Sequence, residues 1–300
     1  MDRDRRQALL ARLAAGPPVL LDGATGTELE RRGAPARLPL WSAAALREQP
    51  ELVARIHADY VGAGAEIVTA NTFRTQERTL ARGGIAAPGA ARELCSLAVS
   101  LARRAADAAP HLVWVAGSMP PLEDCYRPDL VPEADALARE HGEHARHLAE
   151  AGADLLLVET MNTSREALAA ARAARATGLP VWVSFACDGE AQLLSGEPLG
   201  EALATVAPLD PELVGVNCLP PVAAERALPV LAAAGRPFGV YANLGPPEGD
   251  GARRRDDCAP AEFAAHALRW RAAGARAVGG CCGTQPAHVR AIRDALKSWT

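Results

Sequence analysis

The chain has 300 residues, 49% of them hydrophobic and 23% charged, the balance of an ordinary soluble globular protein. A net charge of −4 gives no electrostatic case for nucleic acid or an anionic membrane as partner. The longest apolar runs, such as LLLV at 155–158, are far too short to cross a bilayer.

The first residues, MDRDRRQALLARLAAGPP, read as a short helix leading into a strand, because no long apolar core followed by a cleavage site is present. Short apolar runs then recur at fairly even intervals: PVLLDGAT (18–25), AEIVTANTF (65–73), VWVAGSM (113–119) and ADLLLVETM (153–161). They continue as PVWVSFAC (180–187), ELVGVNC (212–218), PFGVYAN (237–243) and ARAVGGCC (275–282). Each is nearly continuous in apolar residues, as parallel strands buried on both faces require. Short length and flanking Gly or Pro separate them from helices. Between them, 43–62, 88–109, 133–151, 164–177, 198–208, 222–235, 260–273 and 286–298 carry Ala, Leu and Arg at helical spacing. YVGAGAEIV, LAEAGADLLLV and RAAGARAVGG share a glycine exit signal, suited to a left-handed cap that turns straight into the next strand.

Strand–helix alternation eight times over predicts a single (β/α)8 TIM barrel spanning 1–300, with no linker to divide it. A doubly wound open sheet would not require eight units. Seven cysteines, an odd number at irregular spacing, do not suggest a secreted disulfide framework, so the cytoplasm is the expected location.

In such barrels the chemistry sits at the C-terminal ends of the strands. Those ends carry Asp22, Thr25, Asn71, Thr72, Ser118, Glu159, Thr160, Cys187, Asn217, Cys218, Asn243, Cys281 and Cys282. The adjacent pair in AVGGCCGTQP (277–286) is the most unusual feature. Consecutive Cα atoms lie about 3.8 Å apart, below the range of about 4.4–6.8 Å for bridged cysteines, so a disulfide between them would be strained. Turning both thiolates onto one metal is a better use of the pair, and flanking glycine permits the bend. Cys218, ending the sixth strand, is the natural third ligand. Three thiolates would hold Zn2+ and leave one tetrahedral position open, as catalytic zinc sites do. Spacing alone leaves ligation and plain burial equally open for these three.

Cys95, Cys125 and Cys258 are expected to act as small hydrophobes, while Cys187 either packs likewise or lines the cup. HGEHARH places His141, His144 and His147 near one helix face. Beside Glu140 and Glu143, that face is expected to be solvated and not a metal site. Asp22 before Gly23 could merely start a turn. Glu159, directly after LLLV, must be answered by a partner or a ligand.

LLDGATGTEL (20–29), TANTF (69–73), GS (117–118), LLLVET (155–160), GVNC (215–218), YANLG (241–245) and GGCCGTQP (279–286) follow one another along essentially the whole chain. In these motifs the sequence resembles the homocysteine S-methyltransferase family. The resemblance implies a zinc-dependent barrel that methylates homocysteine to methionine, with Cys218, Cys281 and Cys282 as zinc ligands. It further implies that Asp22 and Glu159 lie at the homocysteine end, Glu159 receiving the amino group. Backbone amides of Gly23–Thr25 and of 71–73, including Asn71 and Thr72, would receive the carboxylate. Asn217, in the motif GVNC, and Asn243 are expected among the substrate-binding residues, and Asn243 resembles a residue that approaches the metal when no thiol is bound. No catalytic group beyond the zinc-activated thiolate is implied.

The length favours a small onium donor, S-methylmethionine first, with S-adenosylmethionine or betaine as alternatives. Trp41 and Tyr126 could face such a cation, although core packing is the expected role of Trp41. Pro120 and Ala242 depart from the family pattern, in the donor-side loop 117–132 and in YANLG. Other readings keep the chemistry with selenocysteine or another small thiol as acceptor, or make the chain a non-catalytic zinc-stabilised binding or redox-sensing barrel. The expected partners are small molecules, in a monomer or small homo-oligomer.

Overall fold

The structure, a computed structural model, describes residues 3–34, 37–244, 247–248, 253–254 and 258–298. The apolar runs form β1 (Val19–Leu20), β2 (Ile67–Ala70), β3 (Trp114–Met119), β4 (Leu155–Met161), β5 (Val181–Phe185), β6 (Leu213–Asn217), β7 (Phe238–Ala242) and β8 (Ala277–Gly280). All pair in parallel, in the order β1-β8-β7-β6-β5-β4-β3-β2. Leu21, just past β1, bridges to Ile67 and closes the sheet into the expected barrel.

Along β4 the side chains alternate. Leu155 and Leu157 pack inside the barrel with Val19, Ile67, Trp114 and Trp182, while Leu156 and Val158 join the layer between strands and helices. Both faces are therefore apolar, which is why the strands read as unbroken hydrophobic runs. Helix Arg3–Ala14 closes the N-terminal end of the barrel. Its Leu9 and Leu13 join the interior cluster, and Arg5 pairs with Asp154 at 2.9 Å. Arg276 donates to the carbonyls of Arg12 (3.0 Å) and Leu13 (2.7 Å), groups the helix itself leaves open at its last turn.

The helices fall close to the expected spans, and Gly64, Gly152 and Gly274 take φ of 113°, 91° and 104° at the glycine exits. The stretch 43–62 divides into Ala44–Glu48 and Pro50–Ala63, because Pro50 starts a new helix at a position where its missing N–H is harmless. Two further short helices, Thr25–Arg31 and Glu77–Arg82, follow the ends of β1 and β2. No described helix is long and apolar enough to cross a membrane.

One expectation is overturned. His141 and His144 are buried, on the inward stripe that helix Ala134–Glu150 forms with Leu137, Ala145 and Leu148. His144 Nε2 lies 3.1 Å from the Ser118 carbonyl and His141 Nε2 lies 3.2 Å from Glu166 Oε1. Burial pushes His144 down to about 3, so its ring is neutral near pH 7. Only His147 of the three is partly exposed.

Candidate active site

The C-terminal mouth of the barrel holds a cavity of about 410 Å³. Asp22, Ser118, Glu159, Cys218, Cys281 and Cys282 line its inner part, and Arg37, Trp41, Phe73, Arg74, Asp124 and Tyr126 also border it.

The two adjacent cysteines are presented by a tight turn after β8. Cys281 N–H donates to the Ala242 carbonyl at 2.7 Å, and the Cys281 carbonyl accepts from Thr284 N–H (3.0 Å) and Thr284 Oγ1 (2.7 Å). Gly283 takes φ 87°, and its N–H donates to Thr27 Oγ1 at 2.9 Å. Cys218 follows β6 at φ 59°, a strained value for a non-glycine residue and one that clusters at functional sites. The three sulfurs lie within 4.8 Å of one another, and Cys218 Sγ is 3.9 Å from Cys282 Sγ. None is in a disulfide. Hydrogen bonds with Cys218 and Cys282, with burial adding to them, push the Cys281 thiol well above its usual range. A thiophilic divalent ion would relieve this crowding by taking the sulfurs as thiolates. Three convergent soft donors therefore fit Zn2+. Among the described residues no fourth His, Cys, Asp or Glu joins the set.

Two buried carboxyls stand near the sulfurs. Burial raises Glu159 to about 7 against the pull of a hydrogen bond from Ser118 Oγ, and the Cys218 sulfur adds to the rise. Asp22 goes to about 8, because burial outweighs the bonds it accepts from Thr69 N–H (2.8 Å) and Oγ1 (3.0 Å). Neither carboxyl has a cationic side chain as a main partner among the described residues. This end of the cavity is complementary to a positive charge.

The groups behind them fix their positions. Thr72 Oγ1 bonds both Ser118 N–H and Ser118 carbonyl at 3.0 Å, and His144 meets the same carbonyl. Asn217 holds Thr160, itself at φ 59°, through bonds of 2.9 Å to its N–H and 2.8 Å to its hydroxyl. Gly23 has no room for a Cβ, which would stand 2.6 Å from Thr284 Oγ1. Asn71 borders the cavity and donates to the Ser42 carbonyl at 2.9 Å. Asn243 is fully buried and neither polar atom of its side chain has a partner among the described residues.

The Pro-rich stretch after β3 is a fixed wall. Leu122 N–H donates to Glu166 (2.8 Å), Glu123 pairs with Arg78 (2.9 Å) and Arg82, and Asn162 donates to the Cys125 carbonyl (3.0 Å). These anchors bring Asp124, Cys125 and Tyr126 to the cavity, with Tyr126 Oη 3.1 Å from Cys218 Sγ. Trp41 departs from its expected role in the core. At φ 42° its ring lies over Gly26, edge-on to Phe73 at 6.2 Å, and it borders the cavity.

The family model for homocysteine S-methyltransferase matches residues 19–296. The chain belongs to the homocysteine S-methyltransferase family. It is 36% identical over 299 residues to a homocysteine S-methyltransferase of Escherichia coli, covering 92% of this chain and 94% of that one. The Bacillus subtilis homocysteine S-methyltransferase YbgG is 33% identical over 299 residues, covering 92% and 93%. Among solved structures, the metallated form of the E. coli homocysteine methyltransferase MmuM superposes with a TM-score of 0.83 at 33% identity, covering 97% of this chain and 99% of that chain.

This member of the homocysteine S-methyltransferase family thus brings Asp22, Gly23, Thr25, Asn71, Glu159, Cys218, Cys281 and Cys282 to one cavity. Thr72, Asn217 and Asn243 do not border it, and the first two act on residues that do. Cys187 is buried in a bridge with Leu193, away from the cavity. Cys95 packs in its helix, as expected of a small hydrophobe. Cys258 has a more polar setting than expected, within 4.8 Å of ligand atoms of Glu262 and His266. That histidine is already engaged by Glu225 and Arg269 at 2.6 and 2.7 Å. Sequence reasoning missed Arg74 and Asp124 as cavity residues. The signal for Arg74 was its place directly after the strand-end motif TANTF.

Proposed function

We propose that the chain is a zinc-dependent S-methyltransferase that moves a methyl group from a small onium donor, S-methylmethionine first, to homocysteine, giving methionine. The observation that carries this reading is the convergence of Cys218, Cys281 and Cys282 beside two buried carboxyls that have no cationic side chain as a main partner among the described residues. Zn2+ held by those three sulfurs would keep an added substrate thiol deprotonated at neutral pH, where a free thiol with pKa about 8.5 is mostly protonated.

The chain's own residues bind and orient. Glu159 receives the ammonium of homocysteine and gives up its proton as it does so, with Ser118, Thr72 and His144 fixing its place. Asp22 adds negative charge at the same end. Backbone amides of Gly23–Thr25 and of 71–73 receive the carboxylate. Asn217 holds the Thr160 turn, and the unpaired amide of Asn243 is a reserve ligand for the sulfur site when no substrate thiol is present.

Methyl transfer is then an in-line displacement. The acceptor sulfur's lone pair forms the new S–CH3 bond as the donor's S–CH3 bond breaks, and the electron pair of that bond stays on the donor sulfur. S-methylmethionine and homocysteine thiolate give two methionines, the thiol proton having gone to solvent. No acid or base acts on the methyl carbon, so alignment and exclusion of water are the protein's main contributions.

A donor panel of S-methylmethionine, S-adenosylmethionine and betaine, with homocysteine and a methionine readout, tests the reading. Activity lost on chelation and in Cys218→Ala supports it; methylation that survives both overturns it. A selenocysteine arm decides whether the acceptor is the narrower of the two chalcogen substrates.

A further inference from the structure

Two opposite charges at the cavity are left unused by the acceptor. Arg74 follows Phe73 just beyond β2, and its guanidinium carbon lies 5.5 Å from the centre of the Phe73 ring. Its Nε is buried without a hydrogen-bond partner, and the side chain makes no ion pair among the described residues. Asp124 borders the same cavity from the anchored loop. Its Oδ1 accepts Tyr126 N–H at 2.9 Å, and its carboxylate has no ion-pair partner among the described residues.

Both groups border the cavity that Cys125, Cys218 and Cys282 also line. A positive and a negative group therefore face the space that holds the three-sulfur cluster. Tyr126, whose N–H Asp124 accepts, reaches Cys218 directly. A buried guanidinium N–H without an acceptor calls for an anion, and the carboxylate bordering the same cavity calls for a cation. An α-amino acid carries this pair of charges. In the proposed reading Glu159 answers the acceptor's ammonium, so the second zwitterion belongs to the donor.

We infer that Arg74 and Asp124 clamp the zwitterionic end of the methyl donor, Arg74 taking the carboxylate and Asp124 the ammonium. The chain thereby selects α-amino-acid sulfonium compounds over onium donors that lack an N–H cation, such as betaine. The inference rests on the proposed methyltransferase reading and names the donor class for it. Stacking on Phe73 holds the guanidinium without using its N–H groups, which stay available to a ligand.

The test uses the full zinc-loaded chain and its Arg74→Gln and Asp124→Asn variants. S-methylmethionine is compared with trimethylsulfonium, a donor with the same reactive centre and neither charge. Calorimetric binding of S-methylmethionine is measured alongside turnover. In each variant we expect the KM for S-methylmethionine to rise and its binding to weaken by about tenfold or more, with trimethylsulfonium turnover, homocysteine KM and zinc content unchanged. Equal loss with both donors, a rise confined to homocysteine KM, or unchanged S-methylmethionine binding each overturns the clamp. If the wild-type chain makes methionine from no donor, the methyltransferase reading fails by itself. The binding arm still decides the clamp: S-methylmethionine binding that is lost in Arg74→Gln supports it, and absence of binding to wild type overturns it.

Discussion

Glu159→Gln should stabilise the ligand-free protein above neutral pH while impairing its use of homocysteine. The carboxyl is raised from an ordinary 4.5 to about 7 by burial. Between those values the folded state keeps a proton that the unfolded chain has released, so stability falls as pH rises through the window. The full penalty, reached above pH 7, is roughly 3 kcal/mol. Glutamine fills the same space and can still accept the Ser118 bond, yet never ionises. The variant and wild type should therefore differ little near pH 4.5, and the variant should be ahead by roughly 3 kcal/mol at pH 8. Denaturant unfolding across that range reads the difference directly. The same substitution removes the charge proposed to receive the substrate ammonium, a bond worth about 1.5–3 kcal/mol, so homocysteine KM should rise roughly ten- to a hundredfold. A variant less stable than wild type at pH 8, or one with an unchanged homocysteine KM, would refute the reasoning.

Asn217→Ala removes both bonds that hold Thr160 at positive φ and should cost about 2–3 kcal/mol in denaturant unfolding. Glu166→Ala leaves the buried Leu122 N–H without its acceptor and frees the loop that carries Asp124 and Tyr126. It should lower stability by about 1–3 kcal/mol and raise the donor's KM more than the acceptor's in steady-state kinetics. Gly26→Ala drives a methyl group into the Trp41 ring. The displaced ring should appear as a shift in tryptophan fluorescence, with a loss of about 1–3 kcal/mol from overpacking.

The barrel was legible because parallel strands covered on both faces leave continuous apolar runs, and the glycine exits mark where helices stop. The same logic found the sulfur cluster: Cys218, Cys281 and Cys282 come together because β6 and β8 point their C-terminal ends at the same mouth. Features set by distant partners were not legible. The wall at 120–126 depends on Asn162, Glu166 and Arg78, which lie 37, 44 and 45 positions from their partners in sequence, and no local pattern reports such pairing. Helices Thr25–Arg31 and Glu77–Arg82 are too short, at 7 and 6 residues, to show a period. In HGEHARH the charged Glu140 and Glu143 masked an apolar stripe that carries His141 and His144 inward. Trp41 reaches the cavity through a positive φ and a glycine beneath its ring, neither of which its own neighbourhood in sequence discloses.

X-ray absorption at the zinc edge of the loaded chain, before and after addition of homocysteine, tests the central claim most directly. The account predicts that homocysteine adds one sulfur to a shell supplied by Cys218, Cys281 and Cys282, and that Cys218→Ser lowers the sulfur count in both states. A metal environment that does not change on adding homocysteine would contradict it.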